Sequence, residues 1–538
     1  MRVPRPGAFR RRAAQRPYNK RPMNLFRALL TVSGFTLLSR VTGLARETLI
    51  ARAFGASQYT DAFYVAFRIP NLLRRLSAEG AFSQAFVPIL AEFKTQKGHD
   101  ATKALVDAMS TVLAWALAAL SVVGVVGATW VVYAVASGLR ADGQAFPLAV
   151  TMTRIMFPYI VLISLTTLAS GVLNTYKNFS LPAFAPMLLN VAFILAAVFV
   201  APHMKVPVYA LAWAVMVGGV LQFIVQLPGL KKIDMVPLIG LNPARALRHP
   251  GVKRVLAKMV PATFAVSVAQ LSLIINTNIA SRLGQGAVSW INYADRLMEF
   301  PTALLGVALS TILLPSLSKA HVDADTTEYS ALLDWGLRVT FLLAAPSALG
   351  LFFFAAPLTA TLFNYGKFDA YTVTMVARAL ATYGVGLLGI ILIKILAPGF
   401  YAKQDIKTPV KIAVGVLIVT QLSNYVFVPL LGHAGLTFSI GVGACLNSIL
   451  LFVGLRRRGI YHPSPGWLRF FVQLAGASLV LAGTMHWLAI SFDWTGMRAQ
   501  PLARIALMGS CLVLFAALYF GMLWAMGFKY AYFRRRAK

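Results

Sequence analysis

The chain has 538 residues, of which 58% are hydrophobic and only 12% charged, against roughly 25% charged in a soluble domain; so little charge excludes a soluble fold of this length and a disordered chain alike. The charge that is present is almost all of one sign, 50 Lys and Arg against 17 Asp and Glu, a formal +33. No soluble basic domain exists to carry a nucleic-acid patch, so two readings of that excess remain, and both can hold: basic cytoplasmic loops of a multi-pass membrane protein, and a cationic site for an anionic substrate.

Residues 1–22 come first, a basic tail rich in Pro and Arg with no apolar stretch of its own, and so not a cleavable signal peptide. The run opened by Met23 leads directly into a first span. A helix crossing the hydrocarbon core needs about 20 residues, and breaks at Gly, Pro and charge clusters give spans at 27–50, 57–75, 104–137, 147–174, 181–201, 207–228, 255–282, 289–315, 331–362, 371–396, 408–431, 433–455, 468–491 and 501–527, about fourteen in all. Stretch 76–96 is amphipathic and is expected to lie at the membrane interface. Cys445 and Cys511 sit in apolar runs as small core residues, and no Cys/His spacing suggests a disulfide framework or a metal site.

An even number of spans puts both termini on one side. Alternate loops hold Lys94, Lys97, Lys177, Lys231, Lys232, Lys319, Lys403, Lys407 and Arg456 to Arg458, whereas the opposite loops hold few basic residues, Arg140, Lys205, Lys367 and Arg498. By the positive-inside rule both termini are cytoplasmic.

The two halves of the chain echo each other. Gly55 pairs with Gly284, Pro70 with Pro301, Pro88 with Pro315, Gly171 with Gly399 and Pro182 with Pro409, all at offsets of about 230 residues, or some six spans. An even number of spans per repeat makes the repeats parallel, an architecture that places a site between the halves near the midplane. The expected fold is therefore an all-α polytopic membrane protein: two parallel six-helix lobes, 23–229 and 255–457, a basic cytoplasmic linker at 230–254, and a last segment, 458–538, with two extra helices and a basic C-terminus.

Ionisable residues at bilayer depth cost roughly 2.5–3.5 kcal/mol each, so those inside spans need a reason. The first span carries Ser39, Arg40, Arg46 and Glu47; the second carries Asp61, Tyr64, Arg68 and Asn71 on one stripe with Arg74 at its border; the eighth carries Ser289, Asn292, Arg296 and Glu299 on one face with Asp295 beside it. Arginine leads on each face, and its planar fork of donors suits phosphate. Asp61, Asp295 and Glu299 are placed to hold these arginines when no substrate is bound. Simpler readings stand beside this one: Arg74 and Arg75 extending to the interface, Arg46 with Glu47 as an interfacial pair, Arg296 with Glu299 as an i,i+3 pair. Arg40 is hardest to explain so, because it lies mid-span. Lys394 either reaches the interface or lines the cavity. No P-loop, GxSxG or HExxH motif is present, so the chain carries no nucleotide-driven engine or recognisable catalytic constellation.

Several of these stretches, SRVTGLARE (39–47), TDAFYVAFRIPNLLRRLSAEGAFSQAFVPILAEF (60–93), NTYKNFSLPAFAPMLLN (174–190), SWINYADRLMEFP (289–301) and LAPGFYAKQDIKTPVKIA (396–413), resemble the MurJ (MviN) family of lipid II flippases, within the multidrug/oligosaccharidyl-lipid/polysaccharide exporter superfamily. The resemblance implies an alternating-access flippase of the bacterial inner membrane. It would move the undecaprenyl-diphosphate-linked disaccharide-pentapeptide of peptidoglycan, lipid II, from the cytoplasmic to the periplasmic leaflet. It further implies that Arg40, Arg46, Arg74 and Arg296 match the family's essential arginines, that Ser39, Asn71 and Ser289 with Asp61 and Glu299 match its associated polar positions, and that the last two helices form a groove for the lipid tail. Membrane lipids, and cell-wall synthesis or division proteins, are the further partners implied; nucleic acid is not. Some members hold sodium through acidic residues on helices 7 and 11. Spans 255–282 and 408–431 have no Asp or Glu, which favours no cofactor and a drive from membrane potential or protons. The rival readings are an exporter of another polyprenyl-diphosphate-linked saccharide or of drugs, a membrane-embedded transferase, which would need an acidic cluster at one face, and a scaffold, which would not need buried arginines.

Overall fold

The computed structural model describes residues 25–74 and 81–528, leaving aside the side chains of 25–34, 36, 37, 73, 81, 142 and 260–269. The expectations for tail 1–22, for Arg75 and for the basic end at 529–538 fall outside the described residues. Each expected span falls on helix. The N-terminal half contains α1 (Leu25–Phe54), α2 (Gln58–Arg74), α3 (Ala81–Glu92), α4 (Gly98–Val126), α5 (Ala128–Ala136), α6 (Ala145–Met156), α7 (Tyr159–Thr175), α8 (Ser180–Leu195), α9 (Tyr209–Ile224) and the short α10 (Leu227–Lys232). A linker holding α11 (Pro243–Leu247) leads to α12 (Pro250–Ser281), α13 (Ala287–Pro301), α14 (Ala308–Val322), α15 (Thr326–Phe353), α16 (Ala355–Phe363), α17 (Ala370–Leu396), α18 (Pro398–Tyr401), α19 (Lys407–Leu431) and α20 (His433–Arg457). The pair α21 (Trp467–Ser491) and α22 (Pro501–Ala525) ends the fold. No strand occurs among the described residues. Eleven helical stretches among them are long and apolar enough to cross a membrane, as a multi-pass protein requires; α1, the 17-residue α2 and α12 lie outside that set.

The repeated prolines all fall within helices. Pro70 and Pro88 lie inside α2 and α3, Pro301 and Pro315 inside α13 and α14, each removing a backbone donor; wide π-type turns occupy Phe93–Lys97, after α3, and Thr302–Val307, between α13 and α14, which are not equivalent places in the two halves. The chain then reverses at Gly98, whose φ of +82° favours glycine. Packing shows the reversal: Phe93 and Leu105 come within 2.9 and 2.7 Å of where a Cβ on Gly251 would stand, whereas in a straight helix they would be about 18 Å apart.

Segment 81–97 does not present its apolar face to an interface as its amphipathic pattern suggests. Phe82, Phe86, Ile89 and Leu90 are at most 3% exposed, and α3 packs against α7 and α12. The face is real, but α12 covers it. The linker is tied down as well: Leu238 and Gly240 donate their amides to Asp107 and Thr111 on α4 at 2.8 and 2.9 Å, and Trp115 donates to the Gly240 carbonyl at 3.0 Å.

Among the described residues, buried apolar side chains form one cluster through both halves, including Phe63, Tyr293, Phe363 and Phe368. Two separate clusters lie toward the basic loops, one around Phe86, Leu105 and Leu173, the other around Leu313, Leu333 and Phe400. Apart from α12, the halves are therefore fused at the end carrying Gly55 and Gly284 and have separate cores at the basic end. At the fused end Lys367 donates its amide to the Arg52 carbonyl at 2.9 Å and Tyr293 its hydroxyl to the Gly55 carbonyl at 3.1 Å. Gly366 makes that approach possible: a Cβ there would lie 2.2 Å from the Arg52 carbonyl oxygen.

α1 and α12, the first helices of the two halves, pack unlike each other. α1 packs along α8, where Asn190 donates to the Ser39 carbonyl and the Thr42 hydroxyl at 3.0 and 3.2 Å. Its counterpart α12 begins instead in the core of the other half, with Val252 and Val255 buried there and Arg254 donating twice to Glu92 at 2.7 and 2.8 Å. It ends on that half too, where Asn278 donates to the Ala134 carbonyl at 3.1 Å. Between α12, α19 and α20 a groove of about 260 Å³ remains, lined by Ser272, Leu417, Thr420 and Asn447.

The final pair rides on the C-terminal half and is pinned at both ends. At the fused end the fully buried Arg504 donates to the Trp494 and Asn364 carbonyls, both at 3.2 Å. At the basic end Asp334 of α15, 5% exposed, accepts from Tyr461 (2.7 Å), Trp467 (2.8 Å), the Ser464 amide (3.1 Å) and Arg338 (2.8 Å). Asp334→Ala strands four donors, one of them a charged guanidinium. The expected loss is about 3–5 kcal/mol, read as a lowered thermal unfolding midpoint in detergent; an unchanged midpoint would show that this pin does not bear on stability.

Candidate functional site

The site grows from three helices that each place a polar residue where the halves meet. Glu47 of α1, 3% exposed, is the meeting point. Its carboxylate accepts from Arg46 on the same helix, accepts from the Tyr64 hydroxyl of α2 at 3.2 Å, and pairs with Arg296 of α13, in the other half, at 3.4 Å. A buried carboxylate survives only with such company. Arg46 is further oriented by Asn190 of α8, which accepts from its Nη1 at 3.0 Å, and by the Phe193 ring 5.1 Å away. Arg296 also donates to Glu299 at 2.9 Å. One guanidinium from each half thus converges on one carboxylate.

These residues wall a cavity. A small chamber is lined by Arg46, Glu47, Tyr64, Arg68, Asn292 and Arg296. It adjoins a larger one of about 330 Å³, with Arg46, Phe67, Asn71 and Arg296 common to both. The larger chamber adds Ser39, Arg74, Thr166, Asn190 and Gln222. Arg74 is steadied by Asn71, whose Oδ1 accepts from its Nε at 3.1 Å.

Of the residues singled out in the sequence, Ser39, Arg46, Asn71, Arg74 and Arg296 come together here. Arg40 is exposed and lines neither chamber. Asp295 takes the hydroxyl of Tyr383 on α17. Lys394 lines neither chamber and lays its stem along Gly306. Asp61 and Ser289 stand elsewhere than expected. Asp61, 2% exposed, accepts from the Gly286 amide (2.6 Å), the Ser289 amide (2.8 Å) and the Ser289 hydroxyl (2.6 Å), and Ser289 is fully buried. The reason is the start of α13, whose first amides have no partner within the helix; Asp61 caps them from the other half. It is a clasp across the fused end, and in this conformation neither residue faces the cavity.

Asn190 is not among the residues singled out in the sequence, and Glu47 is named there only as a partner of Arg46 on the first span. Asn190 carries a recognisable signal, a lone amide within the apolar run 181–201. Glu47 reads locally as the partner of Arg46 alone, because its second partner is contributed by the other half. Among the described residues no three His, Cys, Asp or Glu side chains converge as metal ligands would. What the arrangement offers is a multidentate set of guanidinium donors, the chemistry of phosphate and carboxylate binding.

A family model described as Lipid II flippase MurJ matches residues 50–505. A lipid II flippase MurJ of Burkholderia cenocepacia is 92% identical over 516 residues, covering 96% of this chain and all of that protein. A probable lipid II flippase MurJ of Vibrio cholerae is 38% identical, over 90% of this chain and 94% of its own length. Among solved structures, a lipid II flippase MurJ in an inward-closed conformation superposes with a TM-score of 0.76 at 21% identity, over 91% of this chain and 99% of that one. An inward-facing multidrug transporter of the MATE family gives 0.66 at 14% identity, over 80% and 98%; at these identities both likenesses speak for the fold.

Proposed function

The chain belongs to the MurJ family of lipid II flippases, and from that premise we propose that it carries lipid II from the cytoplasmic to the periplasmic leaflet by rocking its two halves about the cavity. The fused end, with its Asp61 clasp, is the periplasmic gate, and the parted end, ringed by basic loops, opens to the cytoplasm, with both termini on that side. The observation that carries this reading is the convergence of Arg46 and Arg296, one from each half, on the buried Glu47. A diphosphate brought into the cavity offers each guanidinium a bidentate partner. It thereby draws Arg46 and Arg296 away from Glu47 and weakens the tie across the midplane. Each ligand-bound state is favoured by its own differential contacts. Arg74, at the wall of the larger chamber, captures the headgroup on its way in; the lipid tail stays in the bilayer beside α21 and α22. The headgroup is moved without chemical change.

No metal or cofactor is invoked for the drive, which we assign to membrane potential or protons. α12 and α19 meet through neutral amides: Gln421 and Asn424 donate to Asn276 at 3.3 and 3.1 Å. Cell-wall synthesis or division proteins are its partners in the membrane. The test is a leaflet-accessibility assay in vesicles of defined composition containing the chain and lipid II, run with and without an imposed potential. Movement of the headgroup to the opposite leaflet, faster with potential, supports both parts. No movement above protein-free vesicles overturns the flippase reading, and movement indifferent to potential but sensitive to a proton gradient selects the other drive.

A further inference from the structure

The larger chamber has two unlike walls. Arg46, Arg74 and Arg296 stand on one side. Another part of the lining is polar but uncharged, formed by Thr166, Thr167 and Ser170 of α7 and Gln222 of α9, and no Asp or Glu lines the chamber. Several of its hydrogen-bonding groups are underused. The Thr166 hydroxyl, 4% exposed, has no partner at all, an arrangement that is costly unless something supplies one. The hydroxyls of Thr167 and Ser170 spend their protons on the Ile163 carbonyl (2.8 Å) and Gln226 (3.1 Å), which leaves their lone pairs to accept. The side-chain oxygen of Gln222 accepts a long contact from Tyr159, 3.4 Å.

The chemistry of the substrate restricts what can lie there. In a polyprenyl-diphosphate-linked saccharide the diphosphate is bonded to the prenyl chain on one side and to the first sugar on the other. With the diphosphate on the arginines, the group against the neutral part of the same chamber is one of those two. A hydrocarbon chain would bury Thr166 and the Gln222 amide against nothing that could pair with them. A pyranose offers hydroxyl donors and acceptors to the same groups and sets its C–H faces against apolar lining such as Phe67, Ile163, Pro186 and Leu189. We propose that Thr166, Thr167, Ser170 and Gln222 form a saccharide subsite that reads the sugar attached to the diphosphate. The subsite rests on the flippase reading and deepens it: the arginines hold charge, the neutral wall supplies selectivity for a glycosylated lipid over the bare prenyl diphosphate.

Binding of two probes to the full chain in nanodiscs separates the two ideas: undecaprenyl diphosphate, which has no sugar, and lipid II. Thr166→Val and, independently, Gln222→Leu are each expected to weaken lipid II about tenfold, the worth of one well-made hydrogen bond with its orphaned partner, and to leave undecaprenyl diphosphate unchanged. Thr166→Ser restores the hydroxyl and is expected to restore the affinity. Arg296→Ala weakens both probes. The subsite is overturned if the Thr166 and Gln222 variants weaken neither probe, or weaken both alike, while the unaltered chain binds both. If the unaltered chain binds neither, the flippase reading itself fails and the subsite with it.

Discussion

Arg296→Ala should lower the rate of headgroup movement about a hundredfold, and the pair Arg46→Ala with Arg296→Ala should abolish it, with the protein still present in the membrane. Each guanidinium makes a charge-assisted pair worth about 1.5–3 kcal/mol, and a diphosphate in the cavity would engage both. The single change leaves Glu47 held by Arg46 and Tyr64; the double change leaves a carboxylate, 3% exposed, with the Tyr64 hydroxyl alone. A stability loss could then mimic a transport defect. The control is Glu47→Gln on the doubly altered chain, which removes the stranded charge: stability should return and transport should not. Arg296→Lys should fall between, since it keeps the charge and loses the fork. The readouts are the leaflet-accessibility rate and the growth of cells depleted of their own flippase. Normal growth on the doubly altered chain would remove these arginines from the mechanism.

The second large effect is expected at the clasp. Asp61→Ala leaves the Gly286 and Ser289 amides without their acceptor in a fully buried setting and leaves the Ser289 hydroxyl to the Thr60 hydroxyl alone, at 2.9 Å. Stranding buried donors costs about 1–3 kcal/mol apiece, and the cost falls on the closed state of this end alone, because a parted gate exposes the same groups to water. The closed-to-open balance should therefore shift by at least about tenfold toward open. Alkylation of a cysteine introduced at Ser57, by a thiol reagent that cannot cross the membrane, reports it: the rate should rise in the Asp61→Ala background. Labelling that stays at its original rate would mean that Tyr293, Lys367 and the apolar cluster hold the gate without Asp61. Ser289→Ala removes one of the three donors and should give a smaller rise in the same direction.

The two expectations differ in how far the sequence foretells them. The helices are legible because a bilayer demands long apolar runs, so Gly, Pro and charge clusters punctuate the chain at the true turns. The paired prolines, Pro70 with Pro301 and Pro88 with Pro315, all lie inside helices. The arginines are legible because a guanidinium at depth is too costly to be incidental. Partnership is where the reading stops. Asp61 shares a stripe with Arg68 and Asn71 and reads as a cavity carboxylate, yet its ligands are amides 225 and 228 residues away. Periodicity reports which face a residue occupies, not what the opposing half brings to that face. Glu47 shows the same limit, and so does α3, whose apolar stripe looks the same whether lipid or α12 lies upon it.

The displacement of α12 has a consequence for how the molecule sits among its neighbours. Two parallel repeats would ideally give a body that looks alike after half a turn about the membrane normal, with equivalent left and right flanks. Because α1 lies along α8 while α12 has crossed to the other half, one flank is sealed by helix against helix and the other keeps an open seam beside α19. Viewed from above, the protein therefore has a port side and a starboard side. A neighbour pressed against the sealed flank leaves the seam free, whereas the same neighbour on the seam would cover the groove between α12, α19 and α20. Lateral crowding in the membrane is thus not neutral for this fold: its effect depends on the bearing from which the neighbour approaches.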